Sequence, residues 1–151
     1  MAIDPSNLSE AEVRNLLANA ERLGAVDLVR ACQRRLYEFS GVNVSDPIER
    51  RLWQAVAAYE ETLQRRHGKA LKASYTRRKI AKKGAIATLT DWALDTKDTP
   101  GFNALVEEGM AEFTGEYVVV QFADHFPSHV VDAARSRLSD HGVEVPRAPS
   151  P

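Results

Sequence analysis

Nine lysines and arginines crowd the stretch RRHGKALKASYTRRKIAKK: Arg65, Arg66, Lys69, Lys72, Arg77, Arg78, Lys79, Lys82 and Lys83. His67 and Tyr75 are interleaved with them, and no acid falls between residues 65 and 83. Cations held this densely neutralise phosphates and release the counterions condensed on a polyanion. The chemistry open to them is therefore anion binding, with nucleic acid the first partner class and DNA placed ahead of RNA. The formal net charge of the chain is only -1, because residues 1–64 hold seven bases and ten acids, and residues 84–151 hold four and eleven. Charge sorted in this way makes a dipolar chain, which bears on partners more than on fold. Two other uses of the run stand beside nucleic acid: pairing with the acidic C-terminal half of the same chain, or with an acidic protein. Local pairing one helical turn away cannot be its purpose, since the run contains no acid to pair with.

Residues that could support catalysis are scattered. His125 and His129 are four apart in DHFPSH, the spacing of two metal ligands on one helical face, but Pro127 stands between them and opens a helix. Glu116 begins EYVVVQF and matches the acid at a strand end in metal-dependent nucleases, yet Val118 stands where a helping lysine would follow. His67 beside Arg65 and Arg66 suits a phosphate contact or a helix end. Cys32, the one cysteine, lies among apolar positions of a helix, as a small buried hydrophobe does. There is no Gly-rich phosphate cradle, nucleophile elbow or Cys/His pair. No catalytic residue, metal ligand or cofactor is therefore assigned, and binding is favoured over catalysis. A nuclease-like metal-dependent enzyme remains the alternative that Glu116, His125 and His129 support.

The elements that must position the basic run follow from apolar spacing. LSEAEVRNLLANAERLG reads as a helix capped by Ser9 and stopped at Gly24, and AVDLVRACQRRLYEF repeats the pattern to make a helical hairpin over residues 1–40. A long helix over 46–67 has Asp46 as cap and Pro47 at its first position. Its Leu52, Val56, Tyr59 and Leu63 have the spacing of a seam for a partner helix as well as of an internal core. A homodimer or a protein-interaction module using that seam is the second functional alternative. Residues 68–95 read as a basic two-helix segment broken at Gly84. A helix-turn-helix fits its length, but Thr88, Thr90, Asp91 and Asp95 are poor base readers for the helix from Ala85 to Leu94. Trp92 is assigned to the core with Ile86 and Leu89.

Residues 99–141 read as a short helix, a strand and a closing helix, with 146–151 a loose tail. The strand EYVVVQF needs a partner in 42–44, in 143–145 or in a second copy, and both its faces are expected to be covered. The sum is a mainly α, single domain over 1–145 with about six helices and one short strand or minor β element. At 151 residues, 44% apolar and 27% charged, the chain has the composition of a globular domain. No apolar run approaches the roughly 18–20 residues of a membrane span, and MAIDPSNLSE lacks a secretory pattern, so a cytoplasmic location is expected.

The segments AYEETLQRRHGK, YTRRKIAKKGAI, GFNALVEEGM, EYVVVQF and ARSRL carry a resemblance. Over roughly residues 57–138 the chain resembles a group of uncharacterised bacterial proteins. In that group a basic Arg-rich segment precedes a G-[FY]-x-x-L-x-E-x-G motif and a Glu-initiated strand. The resemblance implies one natural domain and brings no activity, cofactor or site.

Overall fold

The computed structural model describes residues 4–68 and 74–145. Lys69, Lys72 and the tail 146–151 lie outside the described residues. Eight helices follow in order: α1 (Glu10–Leu23), α2 (Val26–Phe39), α3 (Pro47–His67), α4 (Ser74–Lys83), α5 (Ala85–Leu94), α6 (Pro100–Glu107), α7 (Gly115–Gln121) and α8 (Ser128–Asp140). Short 3₁₀ turns occupy Pro5–Asn7, Ala111–Phe113 and Ala123–His125. None of the helices described is long and apolar enough to cross a membrane.

Caps set the helix starts where the sequence places them. The Glu12 amide donates to Ser9 Oγ at 3.2 Å, while Glu12 Oε1 accepts from the Ser9 amide at 3.0 Å, a reciprocal box that satisfies two donors at the head of α1. Asp46 Oδ1 accepts from the Ile48 amide at 2.9 Å, with Pro47 supplying a helical φ without needing a donor partner. Thr99 Oγ1 accepts from the Phe102 amide at 3.1 Å and begins α6 in the same way.

The main core gathers Leu52 and Val56 of α3, Ile80 of α4, Leu89 of α5, Phe102 of α6, Val118 to Val120 of α7, and Val130 and Leu138 of α8. A second cluster joins Tyr37, Ala58, Leu105, Met110 and Phe113, and a third holds the α1/α2 hairpin together through Val13, Cys32 and Leu36. Burial pushes the Cys32 thiol pKa up, which keeps it protonated and inert.

The expected strand is corrected: EYVVVQF falls in and just after α7, and no strand occurs among the described residues. Eight helices, rather than about six with a minor β element, make up the described chain. The physical reason lies in Thr114, whose Oγ1 accepts from the Tyr117 amide at 3.2 Å and caps a helical turn. The proposed partners could not pair with a strand either: 42–44 runs through the turn after α2, and 143–145 follows α8 without regular structure. A short apolar run satisfies its backbone inside a helix as readily as in a ladder, and surrounding helices override the β preference of valine. Val118, Val119 and Val120 are buried as expected, because packing against α3, α5 and α8 covers the helix on several sides.

Candidate nucleic-acid interface

The basic run is divided between two helices and by them. At the end of α3, Arg65 Nη2 donates to Glu108 Oε1 at 2.9 Å, to Tyr37 Oη at 3.0 Å and to Thr62 Oγ1 at 3.2 Å. Arg66 reaches Glu107 at 3.0 Å and Glu108 at 3.4 Å. Arg30 of α2 also meets Glu108, at 3.1 Å, so three guanidinium groups converge on a carboxylate side chain that is only 11% exposed. Burial works against the charge of Arg65, but Tyr37 and Glu108 outweigh it and its pKa is raised. These contacts fasten the end of α3 to α2 and to the end of α6.

Within α4, Arg77 grips Glu60 of α3 with two bonds, Nη2 to Oε1 at 2.6 Å and Nε to Oε2 at 3.1 Å, and its guanidinium lies 5.5 Å from the Trp53 ring centroid. The hydrogen bond to Glu60 raises the Arg77 pKa against a smaller opposing effect of burial. Lys79 Nζ sits 2.5 Å from Asp91 Oδ2 of α5. That hydrogen bond is the main cause holding the Asp91 carboxyl below its ordinary range, with the charges of Lys79 and Lys83 adding to it.

Arg78, Lys82 and Lys83 make no ion pair among the described residues, and all three are exposed. Ile80 is the residue that α4 buries. At about 100° per residue, Tyr75, Arg78 and Lys82 fall within an arc of about 60° on the side opposite Ile80. Lys83 lies on the flank toward Asp91. Tyr75 is 72% exposed, and the Lys79 ammonium stands 6.0 Å from its ring centroid. The structure thus brings Tyr75, Arg78 and Lys82 to one outward face of α4, with Lys83 exposed on its flank. It turns Arg65, Arg66, Arg77 and Lys79 toward acids of the same chain.

Gly84 forms the break between α4 and α5 with φ 87, a conformation that side chains resist. The helix-turn-helix expectation loses a reader residue here: Thr88 is buried and its hydroxyl donates back to the Gly84 carbonyl at 2.9 Å, so it is not exposed as expected. Trp92 is half-buried, packed against the main core beside Leu89, while Ile86 is 40% exposed and does not share its face. The seam on α3 divides in the same way. Leu52 and Val56 belong to the chain's own core, and Tyr59 and Leu63 are half-buried.

The catalytic candidates do not assemble. Glu116 is the second residue of α7, buried, with Arg137 Nη1 3.3 Å from its Oε2, so the strand-end acid of a nuclease is not present. Burial raises its pKa, against the opposing pull of Arg137. His125 lies in a 3₁₀ turn and His129 in α8, so no continuous helix carries both. No group of three or more His, Cys, Asp or Glu suited to a metal ion occurs among the described residues. No protein-family model, curated protein or solved structure matches the chain.

Proposed function

We propose that the protein binds nucleic acid without catalysis, through phosphate contacts from the outer surface of α4, with DNA the first substrate to try. One observation carries the proposal: Arg78, Lys82 and Lys83 stand exposed and unpaired among the described residues on one helix, beside an exposed Tyr75. Unpaired cations attract an external polyanion without first breaking an internal bond. Contacts of this kind position a protein on a backbone and read no sequence.

Three phosphate contacts on duplex DNA give an observed affinity that falls with log salt at a slope of about -2.7. A gel-shift series over salt with mixed duplex and single-stranded probes measures it. The triple variant Arg78→Ala, Lys82→Ala, Lys83→Ala is expected to lose nearly all of that slope and to weaken every sequence alike. A wild-type protein that retards no probe even at about 50 mM salt, or a triple variant with an unaltered slope, would remove the proposal.

A further inference from the structure

We propose that the cavity beneath α4 is a binding site for a small organic cation, an amine or guanidinium on an apolar body. The cavity encloses about 300 Å³ between α3, α4, α5, α6 and the start of α7. That lies at the lower end of volumes that hold small ligands, enough for about ten to fifteen non-hydrogen atoms. Its floor is apolar and buried, built from Val56, Phe102, Leu105 and Phe113. Its mouth is formed by exposed residues, Tyr75 of α4 and Asp91 and Asp95 around the end of α5.

Two glycines set the aromatic walls. A Cβ at Gly101 would fall 1.6 Å from the Tyr59 ring, and one at Gly115 would fall 2.3 Å from the Trp92 ring. Any side chain at either position would push a ring from its seat, so the bare backbone is what lets Tyr59 and Trp92 line the cavity. The faces of such rings are electronegative and attract organic cations over anions.

Acids outnumber bases among the ionisable groups on the lining. Asp91, Asp95 and Glu116 face a single ammonium, that of Lys79, which is already bound to Asp91. Arg137 does answer Glu116 from behind, but it shares its charge with Asp98 Oδ1 at 3.0 Å and with the carbonyls of Trp92 and Asp95. Its contact with Glu116, at 3.3 Å, is longer than the one with Asp98. The side chain of Glu116 is only 7% exposed, so a cationic ligand beside it would favour its ionised form in poorly hydrated surroundings. An aromatic cavity lined by three acids and one base favours an organic cation over a phosphate or carboxylate. The cavity and the outer surface of α4 differ in the charge they favour and share Tyr75, which stands exposed at the cavity mouth.

Three probes of similar size and different charge test the assignment: 2-phenylethylamine, 2-phenylethanol and phenylacetate. Each is titrated into the full chain at neutral pH while the indole N–H resonances are followed, Trp53→Phe identifying that of Trp92. The amine is expected to shift the Trp92 resonance saturably and to bind at least about tenfold tighter than the alcohol, with phenylacetate inactive. Glu116→Gln is expected to weaken the amine about tenfold and leave the alcohol unchanged. Because Glu116 is buried and that variant can fail to fold, the exposed Asp95→Asn gives a second reading, with a several-fold loss for the amine alone. Equal binding of amine and alcohol, tighter binding of phenylacetate, or no saturable shift by the amine up to about 10 mM would overturn the site as a cation pocket.

Discussion

Arg77 and Arg78 are neighbours in the chain and opposites in the structure. Arg77 points back to α3 and is held by both oxygens of Glu60, whereas Arg78, one residue on, faces away from the core with no ion pair among the described residues. The same division runs through the whole basic stretch. Arg65, Arg66, Arg77 and Lys79 fasten helices to one another, while Arg78, Lys82 and Lys83 are left outside. A uniform charge run is therefore divided, and within α4 the helical face decides which cations meet an acid of the same chain. Internal pairing accounts for Arg65, Arg66, Arg77 and Lys79, and the proposed nucleic-acid binding concerns the cations that this pairing leaves over.

Removing the shared carboxylate should break the inner group most severely. Glu108→Ala leaves Arg30, Arg65 and Arg66 without their common partner, and a loss of about 2 to 3 kcal/mol in denaturant unfolding is expected. The salt slope for DNA should not move, since no outer cation is touched. Arg77→Ala removes a better exposed pair and the guanidinium over Trp53, so its expected cost is about 0.5 to 1 kcal/mol, again with the slope intact. A fall in slope with either variant would show that the two groups are not separate.

Acid titration sharpens the comparison through signs. The Asp91 pKa is lowered by Lys79, so its contribution to stability is present above the ordinary carboxylate range and is lost as pH falls through the lowered value. Glu116 behaves in the opposite sense. Its pKa is raised by burial, so stability contributed by its neutral form is present below the ordinary value and is lost as pH rises through the raised one. Melting curves over pH should show Asp91→Asn flattening the acid side and Glu116→Gln flattening the region above the ordinary glutamate pKa. The smallest effect is expected for the outer group. Arg78→Ala with Lys82→Ala should leave stability within about 0.5 kcal/mol, and a larger loss would mean that these cations also serve the fold.

The helices were legible where local signals agree. Ser9, Asp46 with Pro47, and Thr99 with Pro100 each combine a cap with an apolar stripe, and α1, α3 and α6 begin at or just after those residues. At α7 the local signal is ambiguous. Three adjacent valines satisfy a strand or a buried helix equally, and Thr114, which decides between them by capping the helix, carries no cue of its own in the sequence. The partners of the basic run were invisible for a different reason. Glu108 is 43 residues from Arg65 and Glu60 is 17 from Arg77, separations at which spacing along one helix says nothing. An excess of acid in the second half did hint at internal pairing, without saying which cations it would claim. The cavity left no trace in composition, because Gly101 and Gly115 matter through the rings that cross them.

The attachment of α4 also has a consequence for how the protein breathes. One buried side chain, Ile80, and polar clamps through Arg77 and Lys79 join this helix to its neighbours, whereas α7 has its three valines buried at once. A segment held so lightly opens in local excursions that leave the rest of the chain folded. Amide hydrogens of α4 should then exchange with solvent far sooner than those of α7. Added salt, by screening the two clamps, should speed that exchange in α4 and scarcely alter it in α7.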